Sequence, residues 1–188
     1  MDYLEKIEKI VQENVTPRCF KLWKEIDKRL PNVWQKPTSS TGKYHKKLDG
    51  TVPSQAEHVY EMLYAASKLL SIFNTEKKTP EADKIFLAIL LHDSLKYGVL
   101  GTRKHTDRSH DKLAADMICQ NKDTFLKIFN EQQFEVLTEM VRFHSGRWST
   151  DVTTKQQFSF SSKSPETLFI HLLDMMSTAD LIQTDIRS

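Results

Sequence analysis

The chain has 188 residues and a mass of 21.9 kDa, and its 39% hydrophobic content is enough to close one core of that size. Its 27 basic and 25 acidic residues leave a formal charge of +2, so overall charge gives no argument for nucleic-acid binding. The longest apolar run, Ile85 to Leu91, is far short of the roughly 20 residues that cross a bilayer. The N-terminus lacks the pattern of a secretory signal, and Cys19 and Cys119 have no CxxC partner. A cytoplasmic protein without a disulfide framework or a thiolate zinc site is expected, with no membrane partner.

Apolar residues recur at three- and four-residue steps and the strand signal is weak, which predicts an all-α, single-domain helical bundle over 1–188. Helices over 2–13 and 19–30 form an N-terminal extension, 1–37, in which Phe20, Leu22, Trp23, Ile26 and Leu30 are available for packing. They buttress the later helices or offer a partner-binding surface. The segment Gly42 to Met62 then passes from a loop with Lys43 and His45 into a helix over 55–73 that His58 leads. Thr79-Pro80-Glu81 opens a helix over 81–97, with a hydroxyl cap, proline in the first turn and an acid near the positive end of the dipole.

Further helices are predicted over 109–120, 124–129 and 131–145, and Ser164-Pro165-Glu166 starts another over 165–182. The polar connection from Gly146 to Lys163 reads as a loop or lid, with a short hairpin over 150–163 as an alternative. Lys36, Lys43, Lys46 and Lys47 crowd one loop, and Arg103, Lys104 and Arg108 crowd another. Each is either a solvated surface or a cationic rim that attracts phosphates.

The run Leu90-Leu91-His92-Asp93-Ser94-Leu95-Lys96 delivers a histidine and an acid where an apolar stripe ends. A carboxylate in an apolar interior needs compensating charge, and a metal ion supplies it. His58 sits on the core-facing stripe of its helix, and His144 continues the stripe of Phe134, Leu137 and Val141. In the last helix, Thr167, Ile170, His171, Asp174 and Thr178 form a partly polar stripe beside the apolar one of Leu168, Phe169, Leu172, Leu173 and Met176. Imidazoles with carboxylates suit Mn, Fe, Co, Ni or Zn, and the lack of thiolates favours an open site that keeps water.

The order His58, His92-Asp93 and Asp174 resembles the signature of the HD-domain superfamily of metal-dependent phosphohydrolases, over residues 38–182. The runs Leu90 to Lys96 and His171 to Ser177 resemble the family's wording around its ligands, and the segment Ser40 to His45, upstream of the first histidine, resembles one found in small phage and prokaryotic members. The resemblance implies that His58, His92, Asp93 and Asp174 bind one divalent ion. It also implies that His110 and His144 help to hold a second, with Asp93 bridging and Mg as an additional candidate. His105 is a rival to His110.

The chain departs from the commoner His-Asp-x-Gly-Lys version at Leu95, and Lys96 stands where some nucleotidase members carry Glu. The Gly-Tyr-Pro motif of cyclic-dinucleotide phosphodiesterases is absent. The implied activity is hydrolysis of a nucleotide or related phosphoester by metal-activated water. Asp93 and Lys96 are then catalytic, and Lys43, His45, Lys96, Arg147 and Trp148 contact substrate. Two other readings remain: a 3′-to-5′ exonuclease acting on single-stranded nucleic acid, and a catalytically idle metal-binding interaction module. No pattern in the sequence encodes the oligomeric state.

Overall fold

The computed structural model of the protein describes residues 2–39, 45–72, 76–146, 149, 163–182 and 184. These residues form helices α1 (Tyr3–Asn14), α2 (Pro17–Asp27), α3 (Gln55–Ile72), α4 (Pro80–Leu91), α5 (His110–Gln120), α6 (Lys122–Phe125), α7 (Glu131–Phe143) and α8 (Pro165–Thr178). No helix among the described residues is long and apolar enough to cross a membrane.

The helix starts reflect local chemistry. Asp2 and Glu5 close a capping box on α1, and Asn130 and Gln133 close another on α7. Thr16, Thr79 and Ser164 each cap a helix whose first residue is proline. Asp83 of α4 accepts from both the Thr16 backbone N–H, at 2.7 Å, and the Thr16 hydroxyl, at 2.6 Å, which pins the start of α2 to α4.

Helix α4 is the hub, with α1, α2, α3, α7 and α8 packed around it. Every residue from Ala82 to Leu91 is buried, as expected of a helix that is apolar nearly all round. Each fully buried Leu, Ile or Phe in it stabilises the fold by about 1.5–3 kcal/mol relative to exposure. Ile7 and Val11 of α1 and Leu22 and Trp23 of α2 belong to the same buried cluster. The start of α3 is held by main-chain pairing with the preceding segment: Gln55 N–H donates to Lys36 C=O and Ala56 N–H to Trp34 C=O.

Several element ends differ from the sequence expectation. The helix expected over 81–97 stops at Leu91, and residues beyond it wind tighter: Ser94 N–H bonds Leu91 C=O and Lys96 N–H bonds Asp93 C=O. Gly98, at φ 79°, then turns the chain. Helix α2 runs Pro17–Asp27 rather than 19–30, α6 is Lys122–Phe125 rather than 124–129, and α7 ends at Phe143. Helix α8 ends at Thr178 rather than 182, where Asp180 adopts φ 55°.

The face that α8 buries is not its most apolar one. Leu168 and Leu172 are 40% and 49% exposed, whereas Thr167, Ile170, Leu173 and Ser177 are buried. The polar members of that face can be buried because they have partners. Thr167 donates its hydroxyl to Glu139 at 2.9 Å, and Ser177 is hydrogen-bonded to groups on α3. Apart from Lys163, the hairpin expected over 150–163 lies outside the described residues.

Candidate metal centre

Four segments bring their histidines to one place. His92 caps the C-terminus of α4, His144 caps that of α7, His110 opens α5, and His58 lies in the first turn of α3. Three rings are fixed in the same way, each through Nδ1 to the carbonyl three residues earlier. His92 bonds Ile89 C=O at 2.7 Å, His110 bonds Asp107 C=O at 2.8 Å, and His144 bonds Val141 C=O at 2.8 Å. A carbonyl only accepts, so Nδ1 carries a proton, and in the neutral ring Nε2 is left with a lone pair. The C-terminal ends of α4 and α7 suit this device because their last carbonyls lack intrahelical partners, whereas the carbonyl that holds His110 lies in the turn before α5.

His58 reaches the same state through a side chain. Its Nδ1 is 2.9 Å from Ser177 Oγ, and the Ser177 hydroxyl donates to Glu61 Oε2 at 2.8 Å. Ser177 therefore accepts from Nδ1–H, and Nε2 of His58 is bare.

The bare nitrogens face one another. Nε2 of His58 and Nε2 of His92 are 3.3 Å apart, as are those of His110 and His144. Asp174 Oδ1 lies 3.3 Å from Nε2 of His58. Asp93 stands between the pairs, with Oδ2 at 3.5 Å from Nε2 of His92 and Oδ1 at 3.0 Å and 3.6 Å from Nε2 of His110 and His144. Oδ1 is buried without a well-aligned donor, while Oδ2 accepts from Gln55 Nε2 at 2.7 Å and from the Lys96 ammonium. Converging lone pairs and a carboxylate oxygen repel unless a cation lies among them. The donor atoms of His58, His92 and Asp93 fall within 4.8 Å of one another, as do those of Asp93, His110 and His144, so each set fits a divalent ion.

The electrostatics of three of these groups agree. Burial pushes the His92 imidazole down to about 3, against the opposing charge of Asp93, and keeps it in the neutral form a metal needs. Burial would raise the Asp93 carboxyl, but the Lys96 ammonium and His92 hold it well below the usual range. Asp174 is likewise held low, its burial outweighed by His58. His144 moves the other way: burial lowers it, but hydrogen bonding to and the charge of Asp93 raise it overall.

Among the other expected site residues, His45 packs edge-on to His58 with ring centroids 5.0 Å apart, and its Nδ1 is 3.2 Å from Thr178 Oγ1. Lys96 is buried against Asp93. His105 is exposed in the basic loop and takes no part. Lys43, Arg147 and Trp148 lie outside the described residues. Gln55, Glu61 and Ser177 are the participants that sequence reasoning missed. The available signal for Ser177 was its position three residues after Asp174, on the same helical face.

The end of α7 is positioned by His171, whose Nδ1–H donates to His144 C=O at 2.7 Å. Gly146, at φ 58°, lies so close that a Cβ there would be 2.5 Å from Cε1 of His171. Gly146→Ala is expected to cost about 1–3 kcal/mol through backbone strain and displacement of this ring. A lowered melting temperature together with weaker metal retention checks it, and a variant equal to the parent in both refutes it.

No curated protein and no solved structure matches the chain. The HD domain family profile matches residues 56–184, well over half the length and inclusive of every histidine and acid in this cluster. The protein therefore belongs to the HD domain family, a superfamily of metal-dependent phosphohydrolases.

Proposed function

We propose that the protein hydrolyses a nucleotide or a related small phosphoester. The observation that most supports this is the meeting of the Nε2 atoms of His58 and His92, and of His110 and His144, on either side of the Asp93 carboxylate, with a lysine ammonium beside it. One or two divalent ions, with Mn, Fe, Co, Ni and Zn as the candidates and Mg as a further one, would supply charge for the phosphoryl oxygens and acidify water. His58, His92, Asp93 and Asp174 would hold the first, and Asp93, His110 and His144 the second.

In the reaction the water oxygen bonds to phosphorus, the P–O ester bond breaks, and the leaving oxygen takes up a proton. Lys96 contributes a compact ammonium that neutralises a phosphoryl oxygen as its charge grows. Burial, with Lys96 and His58 nearby, pushes His45 down to about 3, so at neutral pH it offers a neutral imidazole at the rim for the substrate or its leaving group. Lys43, Arg147 and Trp148 are proposed as further substrate contacts, with Trp148 as a stacking surface for a base. A cleft of about 490 Å³, lined by residues including Tyr97, Leu100, Arg103, Asp107 and Ser109, borders the segments that carry Lys96 and His110.

The test is a panel of nucleoside phosphates and a labelled single strand, each incubated with the purified chain and added Mn. Release of phosphate or nucleoside from a small phosphoester is expected. Stepwise shortening of the strand would establish the exonuclease reading instead. Bound metal with no product from either would overturn hydrolysis in favour of an interaction module.

A further inference from the structure

His58 differs from the other three imidazoles of the cluster. It lies within a helix, where the preceding carbonyls are occupied by the helical ladder, so no backbone group is free to orient its ring. The orientation comes from Ser177 on α8, at 2.9 Å, and Ser177 is itself oriented by donating to Glu61 at 2.8 Å. Glu61 is only 3% exposed, and a carboxylate so buried needs a counter-charge. Lys47 supplies it: its ammonium bonds Glu61 and also Glu57 at 2.9 Å, with Asp180 4.0 Å away. The segment around Lys47 is tied to the end of α8 as well, since Leu48 N–H donates to Asp180 Oδ2 at 2.9 Å. The same segment carries His45, which rests against the His58 ring.

We propose that Lys47, Glu61 and Ser177 form a positioning relay that holds His58 with Nε2 free and couples docking of the 45–51 segment to cation affinity at the His58–His92–Asp93 set. This rests on the reading of that set as an ion site. Lys47 fixes the Glu61 carboxylate, Glu61 fixes the direction of the Ser177 hydroxyl, and Ser177 fixes the His58 tautomer. Coupling of this kind is reciprocal, so a bound cation also strengthens docking of the segment. The rings of His110 and His144 are instead held by main-chain carbonyls. The relay therefore acts on one of the two donor sets.

The experiment titrates the full chain with Co²⁺, following its absorption bands and heat of binding, for the parent, Ser177→Ala, Lys47→Met and Glu61→Gln. Imidazole ¹⁵N spectra of the metal-free proteins are recorded alongside. Ser177→Ala is expected to weaken one Co²⁺ by about 10- to 100-fold, the usual scale for losing a partner that orients a ligand, while the other changes by less than about twofold. Lys47→Met should weaken the same ion. Glu61→Gln keeps an acceptor oxygen for the Ser177 hydroxyl and should retain most of the affinity that Ser177→Ala loses. In the parent, His58 should be protonated at Nδ1 alone, and in Ser177→Ala it should become a mixture of tautomers.

Unchanged affinities in Ser177→Ala, or an equal fall in both ions, would overturn the relay. Failure of the parent to bind any Co²⁺ would overturn the ion site itself. The ¹⁵N spectra would then still decide the relay, because they need no metal.

Discussion

Asp93→Asn is expected to abolish metal loading and phosphoester turnover together. The side chain serves both donor sets, with Oδ2 toward His92 and Oδ1 toward His110 and His144, so the loss of its charge is felt twice. Asparagine keeps the shape and one acceptor oxygen for Gln55, but it cannot offset a divalent cation. Turnover should fall by about a thousandfold or more, the scale seen when one member of an interdependent constellation is removed. Stability should fall as well, because Lys96 is left as a buried cation without a carboxylate partner, a situation that costs about 3–5 kcal/mol when a buried pair is broken. Elemental analysis of the dialysed variant, with circular dichroism to confirm that it remains helical, checks the first claim. Full metal occupancy in a folded Asp93→Asn protein would defeat the assignment of Asp93 as a shared ligand.

Lys96→Met should separate the two consequences that Asp93→Asn combines. Methionine preserves the apolar stem in a position only 6% exposed, while removing the ammonium. Asp93 loses its built-in counter-charge and becomes a better partner for a cation, so metal should be retained or held more tightly. Catalysis should nevertheless fall by about 10²- to 10³-fold in kcat, the range for deleting one preorganised donor to a developing charge. Steady-state kinetics beside a metal titration provide the check. A parallel loss of metal and turnover would make Lys96 a scaffold for Asp93, and unaltered turnover would remove it from the chemistry.

What the sequence made legible depended on how local the cause was. His92-Asp93 was visible because a polar pair abruptly ends a run of seven apolar residues, and His58 and His144 because each continues a stripe that faces inward. The helix starts were visible in Thr-Pro and Ser-Pro pairs, since capping depends on neighbours in the chain. Helix α4 was predicted too long because the tightening after Leu91 retains a helical appearance in hydropathy while changing the hydrogen-bond pattern. The buried face of α8 was not legible, for a different reason. Hydropathy assigns Leu168 and Leu172 inward, yet Thr167 and Ser177 take the interior because Glu139 of α7 and groups on α3 satisfy them there. Gln55 and Glu61 were unreadable for the same reason: an ordinary polar residue becomes part of a site only when a distant element meets it.

The pairing of residues 34–38 with the start of α3, together with the shared burial of α1 and α2, bears on where an independently folding unit can be cut. The family profile begins at residue 56, one position after the first residue of α3. A fragment trimmed to that border would lose the strand-like collar that seats Gln55 beside Asp93, and it would expose the apolar flank of α4 that Leu22 and Trp23 cover. We therefore expect the unit that folds on its own to be wider than the stretch by which relatives are recognised, with the difference made up by two helices that carry none of the shared signature.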